Sequence, residues 1–265
     1  MFDQPDAPIG VSMFTTEPTT IQRAIEVFVR GFAFTRSFTH PYLVEQVGPL
    51  WVMRDGPRKR GNDRTEEWIG YQVAPQEIDQ VARTHTRGRF CLCVLFDRDE
   101  SQASARADFK ALGYRLATTE PLMIHSLTTI PTVDAPALIE RVMTIEVAER
   151  LAKAAGKRQI LPEQLATDAP LRQYAAMIDN ELVGWVRSIV VGDATWCADM
   201  YVEPAFRRRG IARALLSRML HDDRDHGATL AVLLASHVGA KLYPVVGYQQ
   251  IGELLLYTPK KTVNT

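Results

Sequence analysis

Two apolar runs constrain this chain most. "RFCLCVLFD" (89–97) and "TLAVLLAS" (229–236) are continuous apolar stretches of strand length. A strand that is apolar on both faces is covered on both faces. Each run is flanked by segments with helical spacing. In "TTIQRAIEVFVRGF" (19–32), Ile21, Ala24, Ile25, Phe28, Val29 and Phe32 recur at helical intervals behind a threonine cap. "APQEIDQVARTH" (74–85), "SQASARADFKALGY" (101–114) and "TIEVAERLAKAAG" (144–156) read the same way, the last with Thr144 as cap and Gly156 as stop. Strands are expected after Pro49 (followed by a charged loop reaching to 68), at 122–127, 137–143, 195–202 and 251–259. A pair at 173–191 turns at Asp179–Asn180. The class is α/β, with a mixed sheet.

At 265 residues the chain suits one large domain or two small ones. "TIPTVDAP" (129–136) has two prolines and no periodicity, which places the boundary there and divides the chain into 1–130 and 131–265. Lys plus Arg and Asp plus Glu each number 31, so the balance gives no support to a general nucleic-acid or membrane-surface binder. Cys91, Cys93 and Cys197 form no disulfide framework and read as reduced thiols. No signal peptide and no apolar stretch of membrane-spanning length is seen, so a cytoplasmic location is expected. The histidines and aspartates of "HDDRDH" (221–226) lie at a spacing that scatters them around a helix, so no metal site is expected. His237 adjoins Ser236, a position from which it can edge a site.

The informative stretch is "FRRRGIARALL" (206–216). A strand enters it and an amphipathic helix (210–225) leaves it, with Ile211, Leu215 and Met219 beside Ala212, Leu216 and Leu220. The first N–H groups of a helix lack internal partners and carry partial positive charge. Gly210 permits close approach to the backbone, Ala212 is small, and Arg208, Arg209 and Arg213 add charge. The result is a cradle for a polyanion such as a diphosphate. Neither G-x-x-x-x-G-K-[ST] nor a G-x-G-x-x-G after a strand is present.

The loop resembles the [QR]-x-x-G-x-[GA] hallmark of the GCN5-related N-acetyltransferase (GNAT) family, matched at Arg207, Gly210 and Ala212. "MYVEPAFRRRGIARALL" is similar to the family's strand–loop–helix. "AKLYPVVGY" is similar to a later, short helix (238–248), interrupted near Pro244, with its tyrosine at Tyr243 and its glycine–aromatic end at Gly247–Tyr248. The resemblance covers roughly 137–259. It implies the GNAT acyl-CoA N-acyltransferase fold and acetyl-CoA as cosubstrate, with no metal. The diphosphate would lie on the amides of 208–213, around Ile211. A splayed strand carrying Met200, Tyr201 and Val202 would bind the pantetheine arm, and a backbone N–H near Val202 would hold the oxyanion. Tyr243 would be the general acid, and Asp199 the nearest carboxylate to serve as base. Ser236 stands where many members carry an asparagine that orients the cofactor. The acceptor would be a small-molecule or peptide amine, the protein a monomer or homodimer. The alternatives are a non-catalytic acyl-CoA sensor and a transferase of a larger acyl group.

The first half echoes the second. "WVMRDGPRKRG" (51–61) can be laid on "MYVEPAFRRRG" (200–210), which puts Asp63 where Ala212 stands. "FKALGY" (109–114) can be laid on "YPVVGY" (243–248), which puts Phe109 on Tyr243. The expectation is a tandem GNAT-like pair whose first copy does no chemistry and shapes the acceptor pocket.

Overall fold

The computed structural model describes residues 19–134, 136–237 and 239–260. The elements run α1 (Thr20–Arg36), β1 (Tyr42–Val47), β2 (Leu50–Asp55), β3 (Glu66–Tyr71), α2 (Pro75–His85), β4 (Phe90–Asp97), α3 (Ala103–Ala111) and β5 (Tyr114–His125). After a link that holds residue 130 come β6 (Leu138–Arg141), α4 (Ile145–Ala155), β7 (Leu171–Ile178), β8 (Glu181–Val191), β9 (Ala194–Val202), α5 (Ile211–Asp225), β10 (Leu230–Leu234) and β11 (Gln249–Pro259).

Local chemistry explains many of these boundaries. Thr19 and Gln22 form a reciprocal capping box on α1, and Thr144 caps α4 through the Val147 amide. Gly156 ends α4 in the left-handed region. Asp179 and Asn180 both take positive φ, the geometry a two-residue turn between β7 and β8 requires.

All strands join one sheet, in the order β1-β2-β3-β4-β11-β5-β10-β9-β8-β7-β6. The parallel pairs are β3 with β4 and β9 with β10; every other neighbouring pair is antiparallel. The sheet has an internal symmetry. On each side a parallel pair linked by a helix, β3-α2-β4 or β9-α5-β10, is followed inward by one final strand. Those final strands are exchanged: β11 pairs with β4, and β5 pairs with β10. One half therefore completes the sheet of the other.

The topology corrects the first overlay. β2 is followed by a loop and the antiparallel β3, with no helix between them. The counterpart of β9-α5-β10 is β3-α2-β4, one strand further on. The charged loop is folded on itself: Asp55 accepts from Arg58 Nε at 2.6 Å and from the Arg64 amide at 2.8 Å. Burial alone would raise the Asp55 carboxyl, but these arginine contacts hold it well below the usual carboxylate range. The second overlay matches the structure. Gly113 and Gly247 both take positive φ, each just before a final strand. Phe109 packs edge-on against Tyr114 at 6.1 Å, as Tyr243 does against Tyr248 at 5.6 Å.

Both faces of the sheet are covered, which is why Cys91 to Phe96 are buried without alternation. One face carries α1 and a cluster that includes Ile25, Phe28, Cys91, Cys93, Trp185 and Trp196. The other carries α5 over Val186, Cys197, Leu215 and Met219, and a separate cluster with Trp68, Ile78 and Phe109 near α2 and α3. A Cβ at Gly31 would lie 2.2 Å from Trp196 Cβ, so glycine lets α1 settle onto β9. The α1 helix, from the first half, thus covers strands of the second.

Candidate active site

The site begins where β9 and β10 part. Their pairing covers Leu230–Ala194, Ala231–Thr195 and Val232–Trp196 and then stops, although β9 continues to Val202. On its other side β9 carries a bulge against β8: the register shifts between Trp185 and Arg187, and Asp199 takes φ +55°. A Cβ at Gly184 would approach the Tyr201 carbonyl to 2.9 Å, so glycine permits the bulged strand to lie this close. The Trp185 and Tyr201 rings stack at 4.5 Å beside it. The separated strands leave a wedge with backbone of Met200, Tyr201 and Val202 along one side.

The next turn leads into α5. Arg208 and Gly210 take positive φ, and a Cβ at Gly210 would meet only the Asp134 carbonyl, at 3.7 Å. No side chain caps α5 at its N-cap, and its first turn holds no acidic residue. The amides of Ile211, Ala212 and Arg213 open this helix. Arg207 turns back, its Nε donating to the Val202 carbonyl at 2.9 Å, so it braces the strand end. Arg209 lies over the Phe206 ring. Among the described residues none of Arg207, Arg208, Arg209 and Arg213 pairs with a carboxylate. The net result is a helix start with open amides and uncompensated positive charge, the geometry that suits an anion.

A cavity of about 680 Å³ opens at the wedge. Trp196, Cys197, Ala198 and Asp199 of β9 line it with Leu234 of β10; Phe32, Thr35 and Arg36 of α1 and Glu120 of β5 close it from the first half. Asp199 is engaged there by the Arg187 guanidinium and by Lys157 Nζ at 3.7 Å. Burial pushes Arg187 down, and Asp199 opposes the shift. Glu120 has no ion pair among the described residues. Burial pushes its carboxyl up, and the nearby His237 partly offsets this. Glu67 lies deeper, 14% exposed, with Arg36 and the Tyr42 hydroxyl on its carboxylate. Burial raises Glu67 as well.

The remaining expected residues, Ser236, His237 and Tyr243, follow β10. Tyr243 lies in a 3-10 turn (Tyr243–Val246) that follows a shorter one (Gly239–Lys241); the expected helix there is two such turns. Tyr243 packs into the cluster beneath α5 with Cys197, Val202 and Ile211 and does not line the cavity. Burial pushes its hydroxyl up. The Gly239 amide donates to Ser236 Oγ at 3.1 Å, so Ser236 caps the first of these turns. His237 Nε2 lies 3.1 Å from the Thr119 hydroxyl. Glu120 is the site residue the sequence did not reveal. Its segment, "TTEPL", carries no motif, and only strand exchange brings it to the wedge.

The corresponding wedge of the first half is closed. β3 and β4 pair through all six positions, Glu66–Phe90 to Tyr71–Leu95. The turn into α2 has no cation between Gln72 and Pro75, and Glu77 stands in the helix's first turn.

The fold and this site define a class: a mixed α/β sheet with an opened parallel pair above a basic helix start. Residues 170–250 match the Acetyltransferase (GNAT) domain family. A GCN5-related N-acetyltransferase from Kribbella flavida has the same fold, with TM-score 0.66 and 17% identity over 91% of this chain and 96% of that one. A GCN5-related N-acetyltransferase-like protein from Streptococcus suis gives 0.53 and 11%, over 90% and 99%. A tandem GNAT protein from the clavulanic acid biosynthesis pathway gives 0.52 and 12%, over 89% and 94%. No curated protein sequence matches the chain. Among the described residues no helix is long and apolar enough to cross a membrane, and no three His, Cys, Asp or Glu side chains gather as a metal site.

Proposed function

We propose that the chain moves the acetyl group of acetyl-CoA to a primary amine, using the second half as catalyst and the first as part of the acceptor pocket. The observation that carries this is the loss of β9–β10 pairing after Trp196 and Val232, at a cavity and beside an uncapped basic helix start. The residues fit the cosubstrate. The amides of 208–213 with Arg208, Arg209 and Arg213 would hold its diphosphate. The unpaired edge of β9 at Met200–Val202 would take the pantetheine arm. Bound acetyl-CoA supplies a thioester open to direct attack.

The chain's own groups handle charge and protons. A backbone N–H near Val202 stabilises the developing oxyanion, a contribution of about 3–4 kcal/mol for one such donor. Glu120 takes the proton from the attacking amine. It suits that role better than Asp199, whose charge is spent on Arg187 and Lys157. A carboxylate without a cation partner, raised by burial, is the stronger base. Asp199 then positions the bulge. Tyr243 returns a proton to the thiolate, and its buried hydroxyl stays protonated at neutral pH. The first half does no transfer, because its wedge is paired shut and its turn lacks cations.

The pocket favours an amine with an apolar body, which Phe32, Phe38, Trp196 and Leu234 would contact. An anionic group on it would face Arg158, exposed at the rim. Incubation with acetyl-CoA and an amine panel, following free thiol, tests the reading. Amine-dependent thiol release supports it. Tight coenzyme A binding without release would favour an acyl-CoA sensor, and release only from longer acyl-CoAs would favour a larger acyl donor.

A further inference from the structure

A second, smaller cavity of about 270 Å³ lies where the start of β5 meets the end of β11. Arg106 and Lys110 of α3, Arg115 of β5 and Lys260 surround it, and its floor is Tyr114, Leu116 and Tyr257. No lining residue is acidic, and among the described residues none of the four cations pairs with a carboxylate. The nearby carboxylate of Asp79 is already engaged by Arg83 and by the Tyr114 hydroxyl, each at 2.6 Å.

Tyr257 supplies an independent sign. It is 2% exposed, stacked on Phe109 at 4.4 Å, and its buried hydroxyl has no hydrogen-bond partner. Buried hydroxyls are normally paired, because desolvation without a partner is costly. Arg106 is close enough for its charge to act on that hydroxyl. Four mutually repelling cations around a partnerless donor form a site whose electrostatics are relieved by an anion with several oxygens.

We propose that this cavity binds the phosphate group of a small molecule, outside the acetyl-transfer site and sharing no residue with it. The Tyr257 hydroxyl, the Arg115 guanidinium and Arg106 Nη1 donate to the phosphate oxygens, with Arg106 Nε and Nη2 held by Gln102 Oε1 at 3.2 and 2.7 Å, and Lys110 and Lys260 add charge.

The test is titration calorimetry of the full chain with inorganic pyrophosphate and with AMP, in wild type, in Gly210→Glu, and in three further variants made in the Gly210→Glu background and compared with it, so that the α5 cradle does not contribute. Binding should persist in Gly210→Glu, which blocks the α5 cradle. It should weaken at least about tenfold in Arg106→Gln/Arg115→Gln and several-fold in Tyr257→Phe. Lys110→Gln/Lys260→Gln should weaken it by an intermediate amount, and thermal melting should show all variants folded. No binding in wild type, equal affinity in Arg106→Gln/Arg115→Gln, or complete loss in Gly210→Glu overturns the assignment. Adhesion to phosphatidate vesicles without pyrophosphate or AMP binding overturns it in favour of a membrane headgroup.

Discussion

The Thr119 hydroxyl and His237 Nε2 stand 3.1 Å apart although 118 residues separate them in the chain. Thr119 belongs to the last strand of the first half, and His237 follows β10 of the second. Their contact marks the seam at which Glu120 enters the wedge. A catalyst built this way cannot be reduced to its second half, because the first half supplies a wall and the proposed base.

Glu120→Gln should lower kcat by about 10²-fold or more, the usual range for loss of a general base, while coenzyme A affinity stays near wild type. Steady-state kinetics paired with calorimetry separates the two effects. Asp199→Asn should act differently, by disturbing the Arg187 contact and the bulge, and so should change KM along with kcat.

The pH profile should carry the same signature. Burial holds the Glu120 carboxyl above its ordinary value of about 4.3. The base works deprotonated, so kcat/KM should rise with pH through that raised pKa. His237 opposes the shift, while Arg36, Lys157, Arg158, Arg187 and Asp199 share the cavity. Glu120→Gln should remove this rising limb. A limb identical in Glu120→Gln would assign the titration to another group.

Tyr243→Phe should reduce turnover by about tenfold, less than the usual effect of an acid–base residue. A thiolate with pKa near 8.5 leaves tolerably unaided. Cofactor binding should be nearly unchanged, since the ring continues to pack on Tyr248. An unaltered rate would remove Tyr243 from the chemistry.

Asp223→Asn should cost about 3–5 kcal/mol of stability, measured by denaturant unfolding. The Asp223 side chain is fully buried and binds Arg172 at 2.6 Å, Ser188 at 2.8 Å and Thr195 at 2.9 Å. Removing its charge leaves the buried Arg172 guanidinium uncompensated. This network ties α5 to β7, β8 and β9, so its loss should also loosen the wedge.

The amphipathic and capped elements were legible in the sequence, because their signals are local. Thr19, Thr144, Gly156 and the Asp179–Asn180 turn act within a few residues of themselves. The arginine–glycine turn was legible for the same reason. β3 was hidden by its opening glutamates, Glu66 and Glu67, whose carboxylates find their partners only in the folded state: the Trp68 indole N–H and the Arg87 backbone amide for one, Arg36 and the Tyr42 hydroxyl for the other. β1 was hidden by its mostly half-exposed alternation. Exchange of β5 and β11 is a pairing of distant strands and leaves no local trace, so neither the seam nor Glu120 could be read. The first overlay of the halves slipped by one strand because a basic run before glycine occurs in both a helix start and an ordinary loop.

The central claim is that the turn into α5 and the open edge of β9 together hold acetyl-CoA. Titration of coenzyme A into wild type and Gly210→Glu at low ionic strength tests it most directly. Wild type should bind one molecule per chain, with thermal protection, and Gly210→Glu should remain folded and lose that binding, because a carboxylate fills the cradle. Absence of binding in wild type, or equal affinity in the variant, contradicts the account.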